Sequence, residues 1–292
     1  MKTAHLTGYL YLVAATFFWA GNYVLGKYAV TALPPVSLVY LRWLLAAPLL
    51  ILIARVVEQP DWKAVAASWR LLAVLSVLGM AGYTLLLYSA LLFTSPLNAS
   101  LINSVNPALI ILASAVFLGT PLGWSKIAGV GVGFGGVLLV LTKGRIEALA
   151  DLSFNTGDLI MLAAIACWTA YTILGKRMVG VKPITATAAQ AAIIVVLMTP
   201  VVLATGLRLP RTPQAAASLL YIVVFPSVLS YVLWNLAMSA VDPGKAGVYL
   251  NLITVFTAFA TVLLGMPLTF TQVGGGLLIL GGVMLSGMKE KT

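Results

Sequence analysis

The sequence predicts an all-α integral membrane protein with ten transmembrane helices in two inverted five-helix repeats. Three observations predict it. The first is internal duplication: Gly8–Val30 (GYLYLVAATFFWAGNYVLGKYAV) recurs without a gap as Gly157–Val179 (GDLIMLAAIACWTAYTILGKRMV). Trp19 falls on Trp168, and Leu25-Gly26-Lys27 falls on Leu174-Gly175-Lys176. Farther on, Leu118-Gly119-x-Pro121-Leu122 recurs as Leu264-Gly265-x-Pro267-Leu268, and Gly135-Gly136-Val137 as Gly281-Gly282-Val283. Matches of Leu and Ala arise by chance in an apolar chain, whereas spaced Trp and Gly-Lys matches do not. The second observation is composition: 61% hydrophobic and 8% charged residues, against roughly 45–50% and 25% in soluble domains. No Lys, Arg, Asp, Glu or His occurs from Leu71 to Ser125 or from Ala246 to Met288. A soluble core cannot hide runs of that length, so the bilayer is the solvent. The third is the distribution of positive charge, treated below.

Breaks at Gly, Pro, Asn and Asp clusters and at charges divide the chain into spans of about 17–25 residues. They are expected near 6–29, 35–56, 70–92, 97–117, 123–142, 157–178, 183–206, 215–240, 244–264 and 269–288. The first reads as a span and not a cleaved leader, because its apolar run exceeds an h-region and its copy lies mid-chain. Ser95-Pro96 and Asp242-Pro243 mark the starts of the fourth and ninth spans: each pairs a capping side chain with a Pro at the first helical position. The first repeat covers 1–142, a linker on the non-cytoplasmic side covers 143–156, and the second repeat covers 157–292.

Ten spans place both termini on one side. With the N-terminus cytoplasmic, inner segments carry Lys2, Arg55, Lys63, Arg70, Lys126, Lys176, Arg177, Lys182, Lys245, Lys289 and Lys291. Outer segments carry only Lys27, Lys143, Arg145, Arg208 and Arg211, and Arg42 lies inside a span. The positive-inside rule therefore predicts both termini in the cytoplasm, in a multi-pass protein of the cell inner (cytoplasmic) membrane. Five spans per half make the second copy enter from the opposite side, with a pseudo-twofold axis in the membrane plane. Such inverted repeats give two nearly equivalent states, open to either side, and that is a transporter's property.

The net charge of +10 reads as a topology signal and not as a nucleic-acid footprint, since so little charge lies outside short loops. Cys167 is the single cysteine and lies within a span, so no disulfide framework exists. Enzyme chemistry lacks its parts. There is one histidine, His5, at the N-terminal edge, with no HExxH or paired-Asp motif. Neither a cofactor nor a metal is expected, and the glycine clusters neither follow a strand nor open a βαβ unit. A channel is the remaining rival class, distinguished by its far higher solute flux. The carboxylates Glu58, Asp61, Glu147, Asp151, Asp158, Asp242 and Glu290 all fall in or beside loops. A proton-coupled carrier needs a titratable group deep in the bilayer, so a facilitator or exchanger is expected.

A lipid-facing stripe is featureless Leu, Val, Ile and Ala, so polar and aromatic residues sharing one helical face mark the interior. In the first span Trp19, Asn22, Tyr23 and Gly26 share such a face; in the sixth, Trp168, Tyr171, Thr172 and Gly175 repeat it. The eighth span aligns Ser227, Ser230, Tyr231 and Trp234, with Asn235 adjoining, and Tyr83 of the third span matches Tyr231. The fourth is unusually polar: Asn98, Ser100, Asn103, Ser104 and Asn106 precede Pro107, which leaves the Asn103 carbonyl without its helical donor. Tyr249, Asn251 and Thr254 are weaker candidates in the ninth. Each stripe admits two readings at this level, cavity lining or helix packing. Arg42 lies roughly 10 Å past its helix start at about 1.5 Å per residue. Capture of a substrate carboxylate, gating of the outer vestibule and snorkelling to the interface are all open to it. Lys27 reads as an interfacial anchor. Gly129, Gly131, Gly133, Gly135 and Gly136 in the fifth span, with Gly274, Gly275, Gly276, Gly281 and Gly282 in the tenth, form small-residue ladders that brace the halves or seat a second copy.

Two halves of five spans, a Trp/Gly-Lys first helix in each and an LG-x-PL element before the fifth and tenth spans resemble the drug/metabolite transporter superfamily over essentially the whole chain. The nearest likeness is to its ten-helix EamA-type exporters, and among them to the YddG-like aromatic amino-acid exporters. Where many relatives carry an acidic residue after the LG pair, Thr120 and Met266 stand here, so a role for that carboxylate does not transfer. The resemblance implies export of amino acids and related small metabolites by alternating access, with drugs or nucleotide-type metabolites as the alternative cargo. The implied partners are a small-molecule substrate and the lipid bilayer, with no nucleic acid, in a monomer or homodimer. The expected cavity has Trp19, Trp168, Tyr83, Tyr231 and Trp234 packing an apolar side chain, and Asn22, Asn103, Ser104 and Asn235 holding the polar end.

Overall fold

A backbone amide in lipid finds no water, so each apolar segment must close its hydrogen bonds within itself as a helix. The computed structural model describes residues 2–119, 123–145, 154–238, 241 and 249–286, and among them all regular structure is helical. The principal helices are α1 (Lys2–Ala32), α2 (Pro35–Val57), α3 (Trp69–Phe93), α4 (Pro96–Leu118), α5 (Trp124–Thr142), α6 (Thr156–Gly175), α7 (Pro183–Thr205), α8 (Pro213–Met238), α9 (Leu252–Leu263) and α10 (Phe270–Ser286). A short helix, Trp62–Ala67, precedes α3. Among the described residues, α2 to α8 are long and apolar enough to cross a membrane, and α9 and α10 are shorter apolar helices. The Asp242-Pro243 start, Pro121-Leu122, Thr120 and most of the 143–156 linker lie outside the described residues.

Prolines at the first turn open α2, α4, α7 and α8, where a missing N–H costs nothing. Side chains satisfy the remaining amides: Ser95 Oγ accepts from Asn98 N at 3.1 Å, and Asn155 Oδ1 accepts from Gly157 N at 2.7 Å. Helix α7 has no cap of its own. Glu58, just past α2, supplies it by accepting from Ile184 N at 2.9 Å and from Thr185 N and Oγ1 at 2.7 Å each. A carboxylate on a helix N-terminus is favoured by the helix dipole as well.

Among the described residues four irregularities stand out in or beside the helices, and they come in pairs. Ser76–Gly82 within α3 and Val223–Leu229 within α8 are π-helical, each ending just before the matched tyrosines Tyr83 and Tyr231. Helix α4 breaks at Ser104–Val105, between Pro96–Asn103 and Asn106–Leu118. The chain likewise turns at Leu250–Asn251 before α9. Those two breaks have the same spacing as the LG elements at Leu118 and Leu264. The break falls directly after Asn103, whose carbonyl Pro107 leaves without its helical donor, and Pro107 sits in the first turn of the second α4 piece.

Packing is reciprocal between the halves. Helix α1 lies against α8 and α9, and α6 lies against α3 and α4. Helix α2 packs on α7 and on the π segment of α8, while α7 packs on the π segment of α3. Helix α5 packs along α10 so tightly that a Cβ added to Gly136 would sit 2.6 Å from the Gly275 carbonyl oxygen. Only part of each glycine ladder makes this seam: a Cβ at Gly131, Gly135 or Gly281 would meet nothing within 4 Å. Asp158 lies beside a loop as expected, in the first turn of α6, but it is fully buried, its Oδ1 accepting from the Thr94 hydroxyl.

Candidate functional site

The residues just after the π segments and those at the helix breaks converge on one cavity. It is lined by Trp19, Asn22 and Tyr23 of α1, Arg42 of α2, Tyr83 and Thr84 of α3, and Asn103, Ser104, Asn106, Pro107 and Ile110 of α4. Trp168 of α6, Tyr231 of α8, and Leu250, Asn251 and Ile253 at the start of α9 close it. Irregular backbone at membrane depth is tolerated where it is buried in protein or borders a cavity, and here it does both.

Side chains, two of them from other helices, cover the carbonyls that the π segments turn aside. Trp19 Nε1 donates to the Pro226 carbonyl at 3.1 Å, and Trp43 Nε1 donates to the Met80 carbonyl at 2.9 Å. Ser227 Oγ reaches back to the Ile222 carbonyl at 2.5 Å. Each α1-type tryptophan then meets the matched tyrosine of the other half. Trp19 stands edge-on to Tyr231 with centroids 5.7 Å apart, and Trp168 lies 5.0 Å from Tyr83. Such edge and tilted contacts are the arrangements that ring quadrupoles favour.

Two short hydrogen-bond relays cross the walls. Tyr83 OH donates to Asn103 Oδ1 at 3.1 Å, so its oxygen accepts from Tyr23 OH at 2.9 Å. Arg42 Nη1 donates to Tyr88 OH at 2.9 Å, and Tyr88 OH donates to Asn22 Oδ1 at 2.7 Å. Arg42 is only 3% exposed, and its guanidinium lies 4.8 Å from the Trp43 ring centroid. It therefore does not reach for the interface. Among the described residues its Nε has no partner, and neither does Oδ1 of Asn251. Lys27, by contrast, donates to the carbonyls of Leu91 at 2.6 Å and Thr94 at 3.1 Å, at the C-terminal end of α3, where a cation complements the dipole.

Most of the residues singled out from sequence come together here: Trp19, Asn22, Tyr23, Arg42, Tyr83, Asn103, Ser104, Trp168 and Tyr231 all line the cavity. Three do not. Tyr171 packs on Trp168 at 5.0 Å and covers Gly79, where a Cβ would lie 2.5 Å from its ring. Trp234 lies against Trp19 at 5.4 Å, behind the wall. Asn235 borders a separate depression with Glu58 and Pro183 and donates to Thr187 Oγ1 at 3.5 Å. Helical spacing placed these three on the right face, but the π turn in α8 and the neighbouring rings decided which side chains reach the opening. Thr84, Ile110, Leu250 and Ile253 were not signalled, since nothing in their pattern distinguishes them from packing residues. Among the described residues no group of His, Cys, Asp and Glu could hold a metal ion.

Comparison with known proteins fits this geometry. The sequence model of the EamA-like transporter family matches residues 6–142 and 155–288. The chain is 30% identical over 287 residues to the uncharacterized transporter YyaM of Bacillus subtilis, covering 96% of this chain and 93% of that one. It is 32% identical over 292 residues to an uncharacterized transporter of Archaeoglobus fulgidus, covering 97% and 98%. A probable terminal-alkyne amino-acid exporter of Streptantibioticus cattleyicolor is 29% identical over 222 residues, covering 74% and 72%. A solved crystal structure superposes with a TM-score of 0.67 at 20% identity, over 98% of this chain and 97% of that one, a likeness of fold.

Proposed function

This chain belongs to the EamA-like transporter family and is a membrane transporter, not an enzyme, and we propose that it exports amino acids and related small metabolites by alternating access. The observation that carries the proposal is the cross-half aromatic pairing, Trp19 on Tyr231 and Trp168 on Tyr83, around a cavity with amide and hydroxyl tips. Rings on facing sides suit an apolar side chain, and Asn22, Asn103 and Ser104 suit a polar end. The amino-acid exporter among the relatives supports the same cargo class.

The proposed architecture is ten spans in inverted repeats, with 1–142 and 157–292 as the halves and both termini cytoplasmic in the inner membrane. Reciprocal packing and the paired π segments and breaks support it. The cavity of about 60 Å³ is well below the roughly 300 Å³ of a metabolite pocket. Substrate therefore enters only when the halves rock apart, which the interrupted helices lining the cavity make easier. Transport is facilitative or by exchange, with direction following substrate gradients. The test is counterflow in proteoliposomes: unlabelled internal amino acid should speed uptake of the labelled one, and a panel of amino acids, nucleotide sugars and cationic drugs without any counterflow would exclude the proposal.

A further inference from the structure

The cavity contains a buried cation that the described protein leaves uncompensated. Arg42 makes one hydrogen bond, to the neutral Tyr88 hydroxyl, and its Nε has none. The described carboxylates are engaged elsewhere: Glu58 caps α7, Asp61 caps the short helix before α3, and Asp158 holds Thr94. A guanidinium withdrawn from water without a counter-ion is costly, and the Trp43 ring 4.8 Å away offsets only part of that cost. The unpartnered Nε lies on the guanidinium edge that grips a carboxylate through two parallel hydrogen bonds. A second group in the same small cavity has the opposite need. Asn251 is 7% exposed, and its Oδ1 is an acceptor with no donor. It stands at the break before α9, where the chain turns into the cavity wall.

We propose that Arg42 and Asn251 together make this cavity selective for zwitterionic α-amino acids, with the carboxylate held by Arg42 and the ammonium donating to Asn251. The inference rests on the amino-acid reading above and narrows it: an amine or cationic drug meets a fixed positive charge and is rejected. The carboxylate contact is ion to ion and the ammonium contact is ion to neutral amide, so loss of the carboxylate should matter more.

The experiment compares uptake into wild-type proteoliposomes of tryptophan, phenylalanine and leucine with their decarboxylated amines and their deaminated acids. The amines should be taken up at least about tenfold more slowly than the amino acids, and the deaminated acids should fall between them. Arg42→Gln should abolish this discrimination, Arg42→Lys should keep part of it, and Asn251→Leu should erase only the difference between amino acids and deaminated acids. The wild-type ratios do not depend on how any variant folds, and each variant is compared only if monodisperse on size exclusion. Amines moving as fast as amino acids, or ratios unchanged in Arg42→Gln, would overturn the inference while leaving amino-acid transport standing. Absence of uptake for every compound would remove the functional reading itself, and this inference with it.

Discussion

The indole of Trp19 and the ring of Tyr231 meet edge to face, 5.7 Å apart at 84°, joining α1 to α8. Trp168 and Tyr83, their matched residues, meet at 5.0 Å. Trp168 is partly open to the cavity, so Trp168→Ala should slow transport by about tenfold, the scale of one lost aromatic contact, without unfolding the protein. Wild-type transport rates in that variant would assign Trp168 to packing alone.

Trp19 has a second task, since its Nε1 covers the Pro226 carbonyl. Trp19→Phe keeps most of the ring packing and leaves that carbonyl bare, so it should cost about 1–3 kcal/mol of stability. Denaturation in detergent should show it as a lower melting temperature, and an unchanged midpoint would mean that another donor takes over.

The α5–α10 seam offers a paired control. Gly136→Ala drives a methyl group toward the Gly275 backbone and should destabilise the protein by about 1–3 kcal/mol. Gly131→Ala on the same helix meets nothing and should be neutral or slightly stabilising. Equal effects at the two positions would refute the seam.

Asp158 bears on energy coupling. It is buried at the start of α6, bonded to Thr94 at the end of α3, and does not line the cavity. An imposed pH gradient alone should therefore drive no accumulation in proteoliposomes, and Asp158→Asn should transport in counterflow like the parent if it folds. Uphill uptake driven by the pH gradient and lost in Asp158→Asn would instead make this carboxylate a coupling site.

Inverted topology is open to direct labelling. Cys167 is the sole cysteine, so a Cys167→Ala background accepts single reporters at Tyr28 and Val179, both exposed beside the matched Gly-Lys pairs. A membrane-impermeant maleimide on intact cells should reach Tyr28→Cys and not Val179→Cys. Labelling of both from one side would end the two-sided arrangement.

The one-dimensional pattern marked the membrane class, the order of the apolar helices and most of the residues that line the cavity. Those features follow from composition and helical spacing, which each segment carries by itself. Residues such as Trp19, Asn22 and Tyr23 were legible because a polar-aromatic stripe has no place against lipid. Tertiary structure decided the rest. The π segments near Tyr83 and Tyr231 exist because indole N–H groups and hydroxyls arrive to satisfy the carbonyls they turn aside, and Trp19 and Trp43 approach from other helices. The same holds for Arg42 and Asn251: sequence marks them as polar, but only the packed bundle shows that no group among the described residues answers Arg42 Nε or Asn251 Oδ1. Burial and partnership are properties of neighbours, and neighbours far apart in the chain are chosen only when the helices dock.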